Sequence, residues 1–233
     1  LVGHLYKVND LRRDQGFTIF YVGINIGAFL ASILVGYVGE VFGWHYGFSL
    51  AGFGMLLGQI SFIMGKKNIV EVSKETTPKN TFSLKTKKYK FSSIELDRVK
   101  LILISSLILV IFWASFEQAG GLLNIFAYEK TNRYLPFLNM EIPASWFQSI
   151  NPLLIIVLGY SVSVFWMFLK KKNMLATSIF KISIGIIIMG LGFIFMVFAS
   201  VESEIYGKSS MYWLFFAYLF FTVGELCASP VIL

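Results

Sequence analysis

The sequence 101-LILISSLILVIFWASFEQAGGLLNIFA-127 decides the fold class, because it is a long apolar run that contains one ionisable residue, Glu117. A helix that crosses the hydrocarbon core of a bilayer needs about 20 consecutive, predominantly apolar residues. The run therefore predicts a transmembrane helix. A carboxylate inside such a helix costs on the order of 3 kcal/mol and usually faces a partner or a water-filled cavity. Glu117 is thus a candidate functional residue.

The composition of the whole chain agrees with a membrane location. Apolar residues make up 56% of the 233 residues and charged residues only 14%, whereas a soluble protein has about a quarter charged residues. Six segments are apolar enough to span a bilayer, at about 15–38, 45–65, 99–126, 146–170, 174–200 and 210–233. They lack the alternating pattern of barrel strands, so we predict an all-α integral membrane protein. The chain begins without methionine and ends inside an apolar segment, and we expect it to be a fragment.

The distribution of basic residues predicts the orientation. Lys and Arg recur before the first segment, throughout 66–98 and in 170-KKK-172, whereas the alternate loops carry few or balanced charges. Cytoplasmic loops are enriched in Lys and Arg, so we expect both ends of the chain on the cytoplasmic side. The Lys-rich stretch 66–98 is interpreted as a cytoplasmic linker between two helix bundles. Contact of this stretch with anionic lipid or nucleic acid is the alternative, and we expect no nucleic-acid partner.

Polar residues inside the apolar segments predict a cavity. Trp113, Phe116 and Glu117 share one helix face because they are spaced i, i+3 and i+4, and a carboxylate flanked by aromatic rings suits an ammonium group. Further polar residues occur at helical spacing or beside a proline, namely Tyr21 with Asn25, Asn151 before Pro152, and Glu225 with Ser229 before Pro230. Together they predict a polar lining contributed by four helices. The alternative for each residue is a hydrogen bond that serves helix packing alone.

Residues for catalysis or metal binding are scarce. His4 and His45 lie in or beside loops, without carboxylates or cysteines at metal-ligand spacing. The sequence has no phosphate-binding G-x-x-x-x-G-K-[ST] loop. We therefore expect no enzyme activity, no cofactor and no metal.

Four stretches resemble one known family. The stretch 17-FTIFYVGINIGAF-29 is similar to the helix-five signature of the proton-dependent oligopeptide transporters, the peptide branch of the major facilitator superfamily. The stretches that resemble its seventh, eighth and tenth helices are 112-FWASFEQAG-120, 143-PASWFQSINPL-153 and 224-GELCASP-230. The resemblance covers essentially the whole chain and implies twelve helices in two bundles, of which helices five to ten are present. By this resemblance, 1–65 ends the N-terminal bundle, 66–98 is the linker and 99–233 begins the C-terminal bundle.

The resemblance also implies roles for single residues. Glu225 resembles the carboxylate that pairs with the amino terminus of a bound peptide. Glu117 resembles an acid that pairs with a helix-four lysine in proton coupling and gating, and Glu129 resembles an outer-side acid that pairs with an arginine of the first half. The other peptide-binding positions implied are Tyr21, Asn25, Trp113, Phe116, Gln118, Asn151 and Ser229. The helix-one E-x-x-E-R-F motif and the helix-four lysine are not in this chain, and the small polar residues expected after 115-SFEQAG-120 are replaced.

The function implied by the resemblance is proton-coupled symport of di- and tripeptides across the cytoplasmic membrane by alternating access. Protons are the expected coupling ion. The expected partners are the peptide, the lipid bilayer and the other six helices of the same protein. One alternative is a transporter of the same superfamily that carries another substrate, such as nitrate or drugs. A second alternative is a membrane scaffold that transports nothing.

Overall fold

The computed structural model describes residues 12–76, 92–137, 139–172 and 177–232, most of which are helical. The helices are α1 Arg12–Phe42, α2 Trp44–Thr76, α3 Ser93–Phe116, α4 Leu122–Lys130, α5 Ile150–Lys171, α6 Ser178–Tyr206 and α7 Met211–Ile232. Two 3-10 helices, Glu117–Ala119 and Ala144–Ser149, precede α4 and α5. Within the described ranges, six helical segments are long and apolar enough to cross a membrane. The predicted all-α membrane fold with six spans is confirmed.

The first two predicted loops are shorter than expected. Gly43 alone separates α1 from α2, and its φ of +119° is accessible to glycine because glycine has no Cβ. Helix α2 continues to Thr76 and α3 begins at Ser93, so both ends of the stretch 66–98 are helical rather than loop. The start of α3 is fixed by a capping box, in which the Ser92 N–H donates to Glu95 Oε2 at 2.8 Å. Residues 77–91 lie outside the described ranges, and the linker role of 66–98 stays a prediction.

The third predicted span, 99–126, lies within the apolar segment Ser93–Lys130 but is interrupted. Helix α3 ends at Phe116, a 3-10 turn follows, and α4 restarts at Leu122. Gly120 and Gly121 lie between the two parts, and each glycine costs a helix interior roughly 1 kcal/mol relative to alanine. We call the segment from Glu117 to Gly121 the helix break.

Two small sheets join the ends of the spans on the predicted outer side. Strand β1, Thr131–Asn132, pairs in parallel with β4, Ser209–Ser210. Strand β2, Tyr134–Leu135, pairs antiparallel with β3, Met140–Glu141. Thr131 and Ser209 are fully buried. The first sheet therefore ties the end of α4 to the connection between α6 and α7.

The core forms around α7, which is the most buried of the six spans. Helices α6 and α7 approach closely at Gly185 and Gly224. A Cβ built on Gly185 would lie only 2.6 Å from the Gly224 carbonyl oxygen, so a larger residue would not fit there. Residues of α3, α4 and the second 3-10 helix also belong to this buried cluster. Its larger members are Phe112, Leu123, Phe147, Met189, Leu214, Tyr218 and Phe221. This packing brings one face of α7 against the helix break and the start of α5.

Candidate functional site

The buried carboxylate of Glu225 on α7 is held by Asn151 in the first turn of α5. The Asn151 amide nitrogen donates to Glu225 Oε2 at 2.8 Å and to the Thr222 hydroxyl at 3.1 Å. The Thr222 hydroxyl in turn donates to the Tyr218 carbonyl at 2.7 Å. Glu225 is only 8% exposed, and an amide carries two N–H donors. The side-chain amide of Asn151 thus bonds to two residues of α7, and one of these bonds holds the Glu225 carboxyl group within the membrane span.

Tyr218 connects the same face of α7 to the helix break. Its hydroxyl donates to the Ala119 carbonyl at 2.9 Å, and its ring is buried. In an unbroken helix that carbonyl would accept the N–H of Leu123, four residues on. The tyrosine hydroxyl therefore replaces a helical hydrogen bond at the point where the third span opens.

Glu117 lies at the start of the helix break with an exposed side chain. Ala119, two residues on, accepts the hydrogen bond from Tyr218 of α7. The helix break that begins at Glu117 thus lies against the helix that carries Glu225. Gln118, the next residue, directs its amide nitrogen to the Ala114 carbonyl at 3.1 Å, which is a contact within its own helical segment.

The aromatic residues beside Glu117 contact the core. Trp113 and Phe116 are half-buried, and their ring centroids lie 5.5 Å apart in a T-shaped arrangement. Both pack against the cluster that contains Phe112. They lie in the last turn of α3, whereas Glu117, which was predicted to share their helix face, begins the 3-10 turn that follows.

The predicted residues of α1 and the end of α7 are less closely connected to this site. The amide of Asn25 is buried and donates to the Tyr21 carbonyl at 2.9 Å, one turn earlier in the same helix. Helix α1 itself packs against α5 and the 3-10 helix before it. The side chain of Ser229 lies outside the described residues. Peptide contact by these residues stays a prediction.

A second polar cluster, on the predicted outer side, joins α1 to the start of α5. The Glu40 carboxylate accepts the Ala144 N–H at 2.9 Å and the Ser145 N–H at 2.7 Å. The Arg133 guanidinium lies 3.7 Å from Glu40 and 3.0 Å from Glu141. Anions are stabilised at helix N-termini, where N–H groups have no helical acceptor. Glu40 therefore caps a helix that is more than 100 residues away in the sequence.

A cavity of about 490 Å³ lies beside this outer cluster. It is lined by Glu40, Glu129, Arg133 and Glu141, together with the aromatic residues Trp44 and Tyr128. The Arg133 guanidinium also lies 5.2 Å from the centre of the Tyr128 ring, which is within the range of cation–π attraction. Glu129 is exposed in this cavity. The structure thus places the predicted outer-side acid on the same cavity as Arg133, an arginine of the same half of the chain.

Several residues of both clusters were not selected by the sequence analysis. Thr222 and Tyr218 precede Glu225 by three and seven residues, and this helical spacing was the available signal. Glu40 and Arg133 were assigned to loops, and nothing in their spacing links one to the other. Among the described residues, no group of three His, Cys, Asp or Glu side chains could hold a metal ion.

Comparison with known proteins identifies the family. A model described as the POT family (PTR2) matches residues 1–99 and 70–233, which together take in the whole chain. The chain belongs to the POT family. The six spans therefore belong to a multi-pass membrane protein.

Curated relatives in the POT family align along the whole chain. The peptide transporter YePEPT of Yersinia enterocolitica subsp. palearctica is 32% identical over 290 residues. A di-/tripeptide transporter of Lactococcus lactis subsp. cremoris is 27% identical over 288 residues. Each alignment covers 99% of this chain but only 56% and 57% of the two relatives. The chain thus spans little more than half the length of the curated relatives it matches.

A solved POT structure shares the fold. The crystal structure of a peptide transporter POT in complex with sulfate matches with a TM-score of 0.75 and 28% identity. The match covers 99% of this chain and 56% of the other. The predicted family and the predicted major facilitator type of helix bundle are confirmed.

Proposed function

We propose that this POT-family chain forms part of a proton-coupled symporter of di- and tripeptides, which works by alternating access between two helix bundles. The observation that carries the proposal is the buried Glu225 carboxylate, held by Asn151 beside the helix break. The names of the two relatives support a peptide substrate. In this proposal the chain supplies helices five to ten in the cytoplasmic membrane, with both ends on the cytoplasmic side. The other helices of the same protein complete the two bundles, protons are the coupling ion, and no cofactor takes part.

In the proposed site, Glu225 receives the amino terminus of the peptide. Within the described residues, Asn151 bonds to Oε2 of Glu225, which leaves Oε1 for an ammonium group. An ion pair between the peptide and a fixed, buried carboxylate is stronger than the same pair in water. The remaining wall of the site consists of Tyr21, Asn25, Trp113, Phe116, Gln118 and Ser229.

Proton coupling is assigned to Glu117, with Glu129 as a gating acid on the outer side. In this proposal, proton binding and peptide binding favour the same step of the inward–outward equilibrium. Such coupling is reciprocal, because each ligand changes the affinity of the other by the same factor.

The role of Glu225 is tested by its replacement with glutamine in the full-length protein. A hydrogen bond to a charged group contributes about 1.5–3 kcal/mol, so Glu225→Gln should reduce uptake of a dipeptide with an unblocked amino terminus roughly 10- to 100-fold. Uptake of the N-acetylated dipeptide should change little. Both are measured in reconstituted vesicles with an imposed pH gradient, with the exposed Glu204→Gln on α6 as the control. Equal losses for the two peptides would exclude the assigned role.

The role of Glu117 is tested in the same vesicles. Glu117→Gln removes the titratable group but keeps the size of the side chain. We expect the variant to lose accumulation driven by a pH gradient while it retains exchange of labelled for unlabelled peptide. Accumulation at the rate of the unmodified protein would contradict the proposal.

A further inference from the structure

An apolar groove of about 860 Å³ lies between α5, α6 and α7, in the halves of these helices that are predicted to face the cytoplasm. Its walls include Val162, Phe165 and Leu169 from α5, Ile184 and Ile188 from α6, and Val223 from α7. The wall on α5 runs from position 161 to 169, which is about 12 Å at 1.5 Å per residue. One leaflet of a bilayer has about 15 Å of hydrocarbon. The groove therefore matches most of the depth of the inner leaflet.

The lining of the groove contains a polar group without a strong acceptor. The Trp166 side chain is only 6% exposed, and its indole N–H has no hydrogen-bond partner among the described residues. A weak acceptor, the sulfur of Cys227, lies beside it in the groove. The indole nitrogen has almost no exposed surface, so Trp166 presents its ring to the groove and its N–H stays beside Cys227.

Basic residues surround the same end of the groove. Lys181 lies near the start of α6, with its ammonium group 5.4 Å from the centre of the Trp166 ring. It forms no ion pair with any carboxylate in the described part of the chain. Lys170 and Lys171 lie in the last turn of α5 and Lys172 follows them, with exposed side chains. An apolar slot in one leaflet thus ends in a cluster of cations at the depth of the head groups.

We propose that this groove binds one anionic phospholipid. The acyl chain lies between α5 and α6, and the phosphate lies against Lys181 and the neighbouring lysines. The charge complementarity selects an anionic lipid rather than a zwitterionic one, because each lysine near the surface contributes about 1 kcal/mol of attraction to anionic lipid.

The head-group contact is tested with the full-length protein reconstituted in phosphatidylethanolamine and phosphatidylglycerol at 3:1, followed by native mass spectrometry. We expect one phosphatidylglycerol molecule to remain on the unmodified protein. Lys181→Gln should lower its occupancy about fivefold, which corresponds to the loss of about 1 kcal/mol. The control Lys66→Gln removes an exposed lysine at the same predicted side of α2 and should leave occupancy unchanged. Equal losses for the two variants would show that only unspecific surface attraction acts, and would overturn the proposal.

The acyl-chain contact is tested by filling the groove. Ile184 lines it, so Ile184→Trp should expel the lipid. Ile187, 61% exposed on α6, is not part of the lining, so Ile187→Trp should retain the lipid. Two results would overturn the proposal: equal retention by both variants, or no retained lipid on the unmodified protein, as expected if another helix of the full-length chain fills the groove. Equal retention of phosphatidylcholine and phosphatidylglycerol would exclude the selection by charge.

Discussion

Each of the two polar clusters contains a largely buried glutamate, but the two carboxylates differ in the number of hydrogen bonds that they accept from the protein. In the outer cluster, both oxygens of Glu40 accept backbone N–H groups and Arg133 lies beside them. The second cluster, which we call the membrane cluster, consists of Asn151, Tyr218, Thr222 and Glu225. Among the described residues, Glu225 accepts one hydrogen bond, from Asn151. Both carboxylates have little exposed surface, with 13% for the Glu40 side chain and 8% for Glu225. Both oxygens of Glu40 are thus engaged within the described residues, although Arg133 Nε and Ser145 Oγ nearby have no partner there. Glu225, by contrast, has an oxygen left for a ligand.

Burial alone therefore does not distinguish a carboxylate that supports the fold from a carboxylate that binds a ligand. The number of oxygen lone pairs that the protein itself satisfies is the better criterion, because an unsatisfied buried charge is costly. Changes in the outer cluster should therefore lower stability. Changes in the membrane cluster should affect transport more than stability.

The largest stability effect is expected for Arg133→Met. This change leaves Glu40 and Glu141 without their cation, and removal of one partner from a buried ion pair costs about 3–5 kcal/mol. The free energy of unfolding of the full-length protein should fall by roughly that amount, measured by equilibrium denaturation in mixed micelles. Lys130→Met, which removes an exposed cation three residues earlier, is the matched control. If the two variants were equally stable, the ion pairs of Arg133 would contribute no more to stability than an exposed lysine. The outer cluster would then not have the structural role assigned to it.

A smaller effect is expected for Glu40→Gln. The variant keeps an acceptor oxygen but loses the negative charge at a helix N-terminus and next to Arg133, which should cost about 1–2 kcal/mol. Glu129→Gln changes an exposed acid on the same cavity and should cost less than 0.5 kcal/mol, in the usual range for surface changes. If the Glu129 variant were the less stable of the two, the cap at Ala144 and Ser145 would not contribute as described.

The smallest effect is expected for Tyr218→Phe. It removes one hydrogen bond, to the Ala119 carbonyl, and single hydrogen bonds between membrane helices contribute about 0.6 kcal/mol. Amide hydrogen exchange should become faster around the helix break while overall stability hardly changes. Tyr160→Phe alters an exposed tyrosine of α5 and should leave exchange at the break unaltered. A loss above about 2 kcal/mol for Tyr218→Phe would show that the break contributes to the stability of the whole bundle.

The sequence predicted the number of spans because apolar length is a local property. It also selected Glu225, Asn151 and Glu117, since polar residues in apolar segments are rare. It could not show that Asn151 donates directly to Glu225, because these residues are 74 positions apart and come together only when α5 packs on α7. The helix break was missed for a related reason. Glycine pairs are common in membrane helices, and the hydroxyl of Tyr218 that compensates for the opened turn comes from another helix.

The helix break also places unsatisfied backbone groups inside a membrane span. In hydrocarbon, irregular backbone persists only where it is buried in protein or lines a water-filled cavity. Tyr218 covers one carbonyl of the break, whereas the Glu117 side chain beside it is exposed. The break is therefore the place inside the third span where the backbone itself requires a polar neighbour, from protein or from water.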